Sequence, residues 1–291
     1  MTVAVETPPR VTEFRRTIRV MFDRPVVVAG AVVVLLVVFI AIFAPFIAPY
    51  PYNNQDLHAT LQPPSGAHWL GTDTLGRDDL TQLIYGSRVS LLVGIVAVSL
   101  AGAVGMTLGL ISGYFGGWIG NIIMRVIDAL LALPPMILML AIAAMLGGGL
   151  RTVLISIGVA MMPTYCRLMN GQVISLKQND YITASRAGGA GSARIMFSHL
   201  LPNSFPPLMV LLSVNLGTAI LMEAGLSYLG IGILPPTPTW GNMVNAGQQS
   251  LLYHPQLAIA PGVAVMLLVL AFNMVGDGLR DALDPRLRGT I

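Results

Sequence analysis

The chain has 291 residues, 55% of them apolar and only 10% charged, with a formal net charge of +3. A soluble domain carries roughly 25% charged residues, so an ordinary soluble fold is excluded, and the positive excess bears on membrane orientation rather than on nucleic-acid binding. The single cysteine, Cys166, excludes an intrachain disulfide, and no ligand spacing for a metal occurs.

Six apolar segments have the length scale of a bilayer crossing, ~18 residues or more. They fall at about 26–48, 88–112, 121–146, 151–170, 204–232 and 256–278. The first is uncharged from Val26 to Ile47 and follows Arg10, Arg15, Arg16, Arg19 and Arg24. It is longer than the apolar core of a secretory signal and lacks a small-residue cleavage site, so it reads as a retained span. Residues 49–87 then form a long polar connection with an amphipathic piece from Leu75 to Tyr85. In the second span Ala97, Ala101, Gly105, Gly109, Gly113 and Gly117 recur every four residues. Such a ridge of small residues lets helix backbones approach closely in lipid.

The third span carries Arg125 and Asp128, three apart and so placed to pair on one helical face, with Pro134-Pro135 further on. Pro163 interrupts the fourth span, and the fifth holds Glu223. Prolines within spans require neighbouring helices or waters to satisfy the freed carbonyls, which points to bundle-facing helices. A carboxylate in mid-span is a functional candidate by default. Glu223 either lines an outer cavity, where it meets a peptide amino terminus, or is a hydrogen-bonded packing carboxylate. With the amino terminus in the cytoplasm, every basic residue except Arg77, Arg88 and Arg151 lies inside. The opposite orientation violates the positive-inside rule, so both termini are expected in the cytoplasm. The expected organisation is a tail at 1–25, a first span and extracytoplasmic loop at 26–87, a core at 88–280 and a tail at 281–291.

Residues 171–203 face the cytoplasm in this topology but are only moderately polar. Asn179 or Asp180 can cap a short helix running to Ala187, which the Gly188-Gly189 pair ends. Ser192 can cap a second helix leading into Pro202, where the chain breaks or turns ahead of span five. Its large apolar residues, Ile195, Met196 and Phe197, suit a docked segment better than a free loop.

Thr183-Ala184-Ser185, then Gly189, then His199-Leu200-Leu201-Pro202 is similar to the cytoplasmic signature of binding-protein-dependent importers of the ATP-binding cassette class. That signature reads Glu-Ala-Ala, three residues, Gly, nine residues, Ile-x-Leu-Pro. Ala184, Gly189, Leu201 and Pro202 match it, whereas Thr183, Ser185 and His199 depart. The loss of the family's Glu at Thr183 removes a charge that helps orient or cap the element. Leu70 to Leu80 (LGTDTLGRDDL), continuing through Ile84-Tyr85-Gly86-Ser87-Arg88, resembles the outer-loop signature of dipeptide and oligopeptide permeases. Glu223 to Gly232, Pro235 to Met243, and Asn273 to Arg286 resemble further stretches of the C-type subunit of that family.

The resemblance implies an all-α membrane domain of six transmembrane helices with the type I importer fold, in the bacterial inner membrane. It implies as partners a second permease subunit, one or two ATPase subunits docked at residues 180–202, and an extracytoplasmic substrate-binding protein. ATP and Mg would be bound by the ATPase subunits. Relatives carry dipeptides, longer peptides, glutathione, nickel chelates or haem. A phosphate-binding loop needs a lysine after glycine, and the sole lysine, Lys177, follows Ile174-Ser175-Leu176, so the chain has no ATP site of that kind. A competing reading of another class, an ion-coupled secondary transporter, predicts internal repeats and a midplane ion site. No such repeat is visible.

Overall fold

The computed structural model describes residues 21–22 and 24–283. Among them the chain is helical throughout, apart from loops and one isolated bridge between Thr72 and Asp78. In chain order the helices are α1 (Pro25–Ile47), α2 (Asp79–Phe115), α3 (Gly117–Leu131), α4 (Pro135–Leu146), α5 (Leu150–Leu176), α6 (Asp180–Ala187), α7 (Ser192–Tyr228), α8 (Trp240–Gln248) and α9 (Gln256–Leu283). Five (α1, α2, α5, α7 and α9) are long and apolar enough to cross a membrane. The α3–α4 pair is bent by 93° and makes a sixth span if counted as one.

Several boundaries differ from those expected, each for a physical reason. The third span is broken because Pro134-Pro135 removes two N–H donors and disfavours a helical residue before each ring. The second begins at Asp79, so the loop ends at residue 78. Its first three turns carry Asp79, Thr81, Gln82 and Ser87, polar residues that are nonetheless buried. Pro163 does not interrupt α5, which continues to Leu176.

Pro202 does not break the chain either. It lies inside α7, just after a π-helical stretch, Ile195–Leu200, in which the Leu201 N–H bonds to the Met196 carbonyl. The wider π turn absorbs the ring and the missing donor that would otherwise kink the helix. Ser192 is the first residue of α7; Gly191 holds the cap position, without a side-chain bond.

The bundle is centred on α2 and α5. At 37 residues α2 is roughly 55 Å long at 1.5 Å per residue, so its two ends define two faces of the protein. The loop of residues 48–78 lies at one end and α6 at the other. Ala97 and Ala101 are buried, and a Cβ on Gly105 would come within 2.5 Å of the Met162 carbonyl. One on Gly109 would strike the Cys166 carbonyl, and one on Gly113 would lie 2.8 Å from Val173 Cβ. Three consecutive glycines thus let α2 touch the backbone of α5. Gly117 is off this ridge: it opens α3 at φ +49°, with nothing near its missing Cβ. α1 lies on the outside against α9, where Gly278 meets Val27 and Gly30 meets Met274.

Candidate functional site

At the α6 end, α6 is closed by hydrogen bonds from Gly189 N to Arg186 O (3.0 Å) and from Ala190 N to Ser185 O (3.1 Å). This is the paired-bond helix stop that needs a left-handed residue, and Gly189 supplies it at φ +83°. Asn179 holds the cap position at the other terminus but makes no side-chain bond. Ile182, Ile195 and Leu200 are buried and root the segment in the bundle. Thr183, Ala184, Ala187, Gly188 and Gly189 are exposed, as is Pro202, while Leu201 is half-buried.

Two residues that depart from the importer signature meet each other: Ser185 Oγ lies 3.3 Å from His199 Nε2. His199 also lies edge-on to Tyr181, with ring centroids 6.4 Å apart. His199 belongs to the π-helical stretch, so this contact joins α6 directly to the start of the long helix α7. The sole lysine fixes the other side. Lys177 Nζ donates to the carbonyl oxygens of Tyr114 (2.8 Å) and Gly113 (3.3 Å), placing a positive charge on the negative end of α2. Arg186 lies over the Tyr114 ring at 6.0 Å.

Asp128 does not pair with Arg125. Its partner is Arg167 of α5, an exposed ion pair that ties the bent α3–α4 unit to the central helix. Near the same end, a cavity of about 780 Å³ opens between α5, α7 and α9, with Pro206, Pro207, Val210 and Val214 beside Asp277 and Arg280.

At the opposite end the 70–79 stretch folds into a self-bonded turn. Asp73 Oδ1 accepts from the N–H groups of Leu75 (2.8 Å) and Arg77 (2.9 Å), and its Oδ2 accepts from Arg77 Nε at 2.7 Å. Gly76 adopts φ +70° directly against the Asp56 carbonyl, where no side chain fits. Asp78 caps α2 through the Thr81 N–H (2.8 Å) and also holds His68 Nδ1 at 2.9 Å. Trp240 of α8 locks onto α2 by donating from Nε1 to the Leu83 carbonyl (2.9 Å) and by packing on Gly86. Between this turn, α8 and the end of α7 lies a cavity of about 300 Å³ lined by Asp79, Gln82, Ser227, Asn242 and Asn245, among others.

Glu223 is fully buried, and its Oε1 accepts from Ser227 Oγ at 2.8 Å. Ser227 lines the cavity, and Glu223 stands one hydrogen bond behind it. Asp79 is the residue that sequence reasoning passed over. It looked like part of a polar loop, and the only signal was the doubled acid after Arg77. Among the described residues no cluster of three or more His, Cys, Asp or Glu comes together to hold a metal.

Residues 105–289 match the family described as binding-protein-dependent transport system inner membrane component. The chain belongs to that family. Residues 12–64 match the N-terminal transmembrane domain of oligopeptide transport permease C, so the subunit is of the C type. Among its relatives is a dipeptide transport system permease protein of Alkalihalophilus pseudofirmus, 41% identical over 99% of this chain and 97% of the relative. Another is a glutathione transport system permease protein of Pectobacterium atrosepticum, 41% identical over 95% and 92%. A probable D,D-dipeptide transport system permease protein of Escherichia coli is 39% identical over 97% and 95%. In structure the permease is similar to a chain of the inward-facing MetNI methionine ABC transporter, with a TM-score of 0.56 over 70% of this chain and 97% of that one, at 19% identity. The likeness extends to the fold, that of a type I importer membrane subunit.

Proposed function

We propose that this permease forms, with a second and similar membrane subunit, the path by which a di- or oligopeptide crosses the inner membrane, driven by ATPase subunits bound at its α6 end. The observation that carries the reading is the exposed tip from Thr183 to Gly189, held on a buried root of Ile182, Ile195 and Leu200. Small residues at the tip (Ala184, Ala187, Gly188, Gly189) let a partner surface close over it. The continuity through Ser185, His199, Leu201 and Pro202 into α7 offers a route from that partner to the bundle. Both termini and α6 lie in the cytoplasm, as the basic residues favour. The 48–78 loop and α8 then face outward, toward a substrate-binding protein.

ATP and Mg belong to the ATPase chains; this chain contributes conformational change and no covalent catalysis. In this reading Glu223, behind Ser227, belongs to the substrate path at the outward end; its hydrogen bond to a cavity-lining residue supports that role. The glutathione relative favours a second cargo of the same chemical kind, a short peptide with a free amino group. A nickel chelate or haem would use the same machinery with a different binding protein.

Affinity capture of the tagged chain from membranes in mild detergent, with the co-purifying proteins identified, tests the assembly. Recovery of a second permease and an ATPase supports it. Recovery of the chain alone, still able to move substrate on an ion gradient, would favour a secondary transporter instead.

A further inference from the structure

The 300 Å³ cavity at the loop end is lined by two acids, Asp73 and Asp79, and one base, Arg77. Asp79 is only 3% exposed, and its Oδ2 has no hydrogen-bond partner among the described residues. A buried, unpaired carboxylate is costly, and an arriving cation would relieve that cost, since Arg77 on the same wall is bonded to Asp73. The neighbouring acids are already occupied. Asp73 is taken by Arg77 and by the turn's own N–H groups, and Asp78 by Thr81 and His68.

The amides lining the cavity are committed in a telling direction. Gln82 Nε2 donates to the Tyr52 carbonyl, Asn242 Nδ2 to Ile233 and Asn245 Nδ2 to Tyr228. Each thus has one N–H committed to backbone, which turns the amide so that its oxygen and second N–H are left for other partners. An unpaired carboxylate beside three amides with oxygens available suits a group that carries several N–H donors. It is poor in charge for a divalent cation, which draws on several carboxylates.

We infer that this cavity receives a primary ammonium group, the amino terminus of a cargo peptide, with Asp79 as its counter-charge. The assignment to cargo rests on the peptide-importer reading; the ammonium site itself does not.

The test uses the whole importer, reconstituted in lipid with its partner subunits. Ala246→Cys on the cavity wall, or Thr237→Cys as a second position, introduces a thiol, while Cys166 is fully buried. Its reaction rates with 2-aminoethyl and 2-sulfonatoethyl methanethiosulfonate compare an ammonium with an anion of similar size. With Asp79 in place the ammonium reagent should be favoured at least about tenfold, and Asp79→Asn should abolish that preference. A ratio unchanged by Asp79→Asn in both thiol backgrounds overturns the site.

Transport of dialanine and N-acetyl-dialanine then tests the source. The unmodified importer should prefer the free amine, and Asp79→Asn should raise KM for dialanine about tenfold while leaving the acetylated peptide unchanged. A preference that survives Asp79→Asn overturns the cargo assignment. If the unmodified importer carries neither peptide, the cargo assignment falls with the peptide reading, and the thiol rates still decide the ammonium site.

Discussion

Replacing Gly189 by valine perturbs the α6 turn without touching the bundle. A Cβ at Gly189 would meet nothing within 4 Å, so the cost is wholly conformational. At φ +83° an ordinary L-residue loses roughly 1–2 kcal/mol, and valine, branched at Cβ, stands at the upper end. That penalty weights the turn against its native form by a factor of about 5–30. The two closing bonds, Gly189 N to Arg186 O and Ala190 N to Ser185 O, are those at risk. Asparagine tolerates the left-handed region, so Gly189→Asn is the matched control. In reconstituted importer, Gly189→Val should insert and assemble normally, yet its ATP hydrolysis should no longer respond to loaded binding protein, and transport should fall. Gly189→Asn should stay near the unmodified level. Normal substrate-stimulated hydrolysis in Gly189→Val would refute the docking role of the turn.

Three further outcomes are expected. Gly109→Ala and Gly171→Ala change the same residue type in helices, but only the first meets packed backbone. Helix propensity cancels between them, leaving an overpacking difference of about 1–3 kcal/mol, read as a lower melting temperature for Gly109→Ala in the purified complex. Equal melting of the two would mean that α2 and α5 are not in backbone contact there. Lys177→Met removes charged hydrogen bonds to the end of α2 worth about 1.5–3 kcal/mol, and hydrogen exchange at Gly113–Phe115 should speed up accordingly. Unchanged exchange would show that the lysine leaves those carbonyls to water. Trp240→Phe deletes the bond to Leu83 and should cost about 1 kcal/mol of stability, while Trp240→Ala should cost about 3–5 kcal/mol. Similar losses in both would argue against packing of the ring on Gly86.

The spans were legible because their interiors are uninterrupted apolar runs; their ends were not. Hydropathy placed the start of the second span near residue 88, since it cannot see that Thr81 and Gln82 are buried with partners in the loop (Asp78 and Tyr52) and Ser87 with the Ile84 carbonyl of its own helix. It put the start of the fifth near residue 204, because a proline normally marks a break. Only the tertiary path reveals a π turn that accommodates Pro202. The stop of α6 was readable from Gly188-Gly189, where local backbone chemistry decides the outcome. Charge partners were less readable. Arg125 and Asp128 have helix spacing, yet Asp128 turns to Arg167, 39 residues away, across the α3–α5 contact. The loop-end cavity was the least accessible, since Asp79, Asn242 and Asn245 are distant in sequence and converge only when α8 folds back over the start of α2. Glu223 drew attention for its place in an apolar run, but the group facing the cavity from α7 is Ser227.

The proposed function requires that an ATPase subunit attach to this membrane chain at the α6 tip. A photo-crosslinking amino acid at Ala184 or Ala187, both exposed, tests it in intact cells. Illumination should join the chain to an ATPase subunit, with the same residue at Leu252 on the loop end giving no such product. Failure to capture an ATPase from either tip position in the assembled complex, or capture from Leu252 instead, would contradict the account.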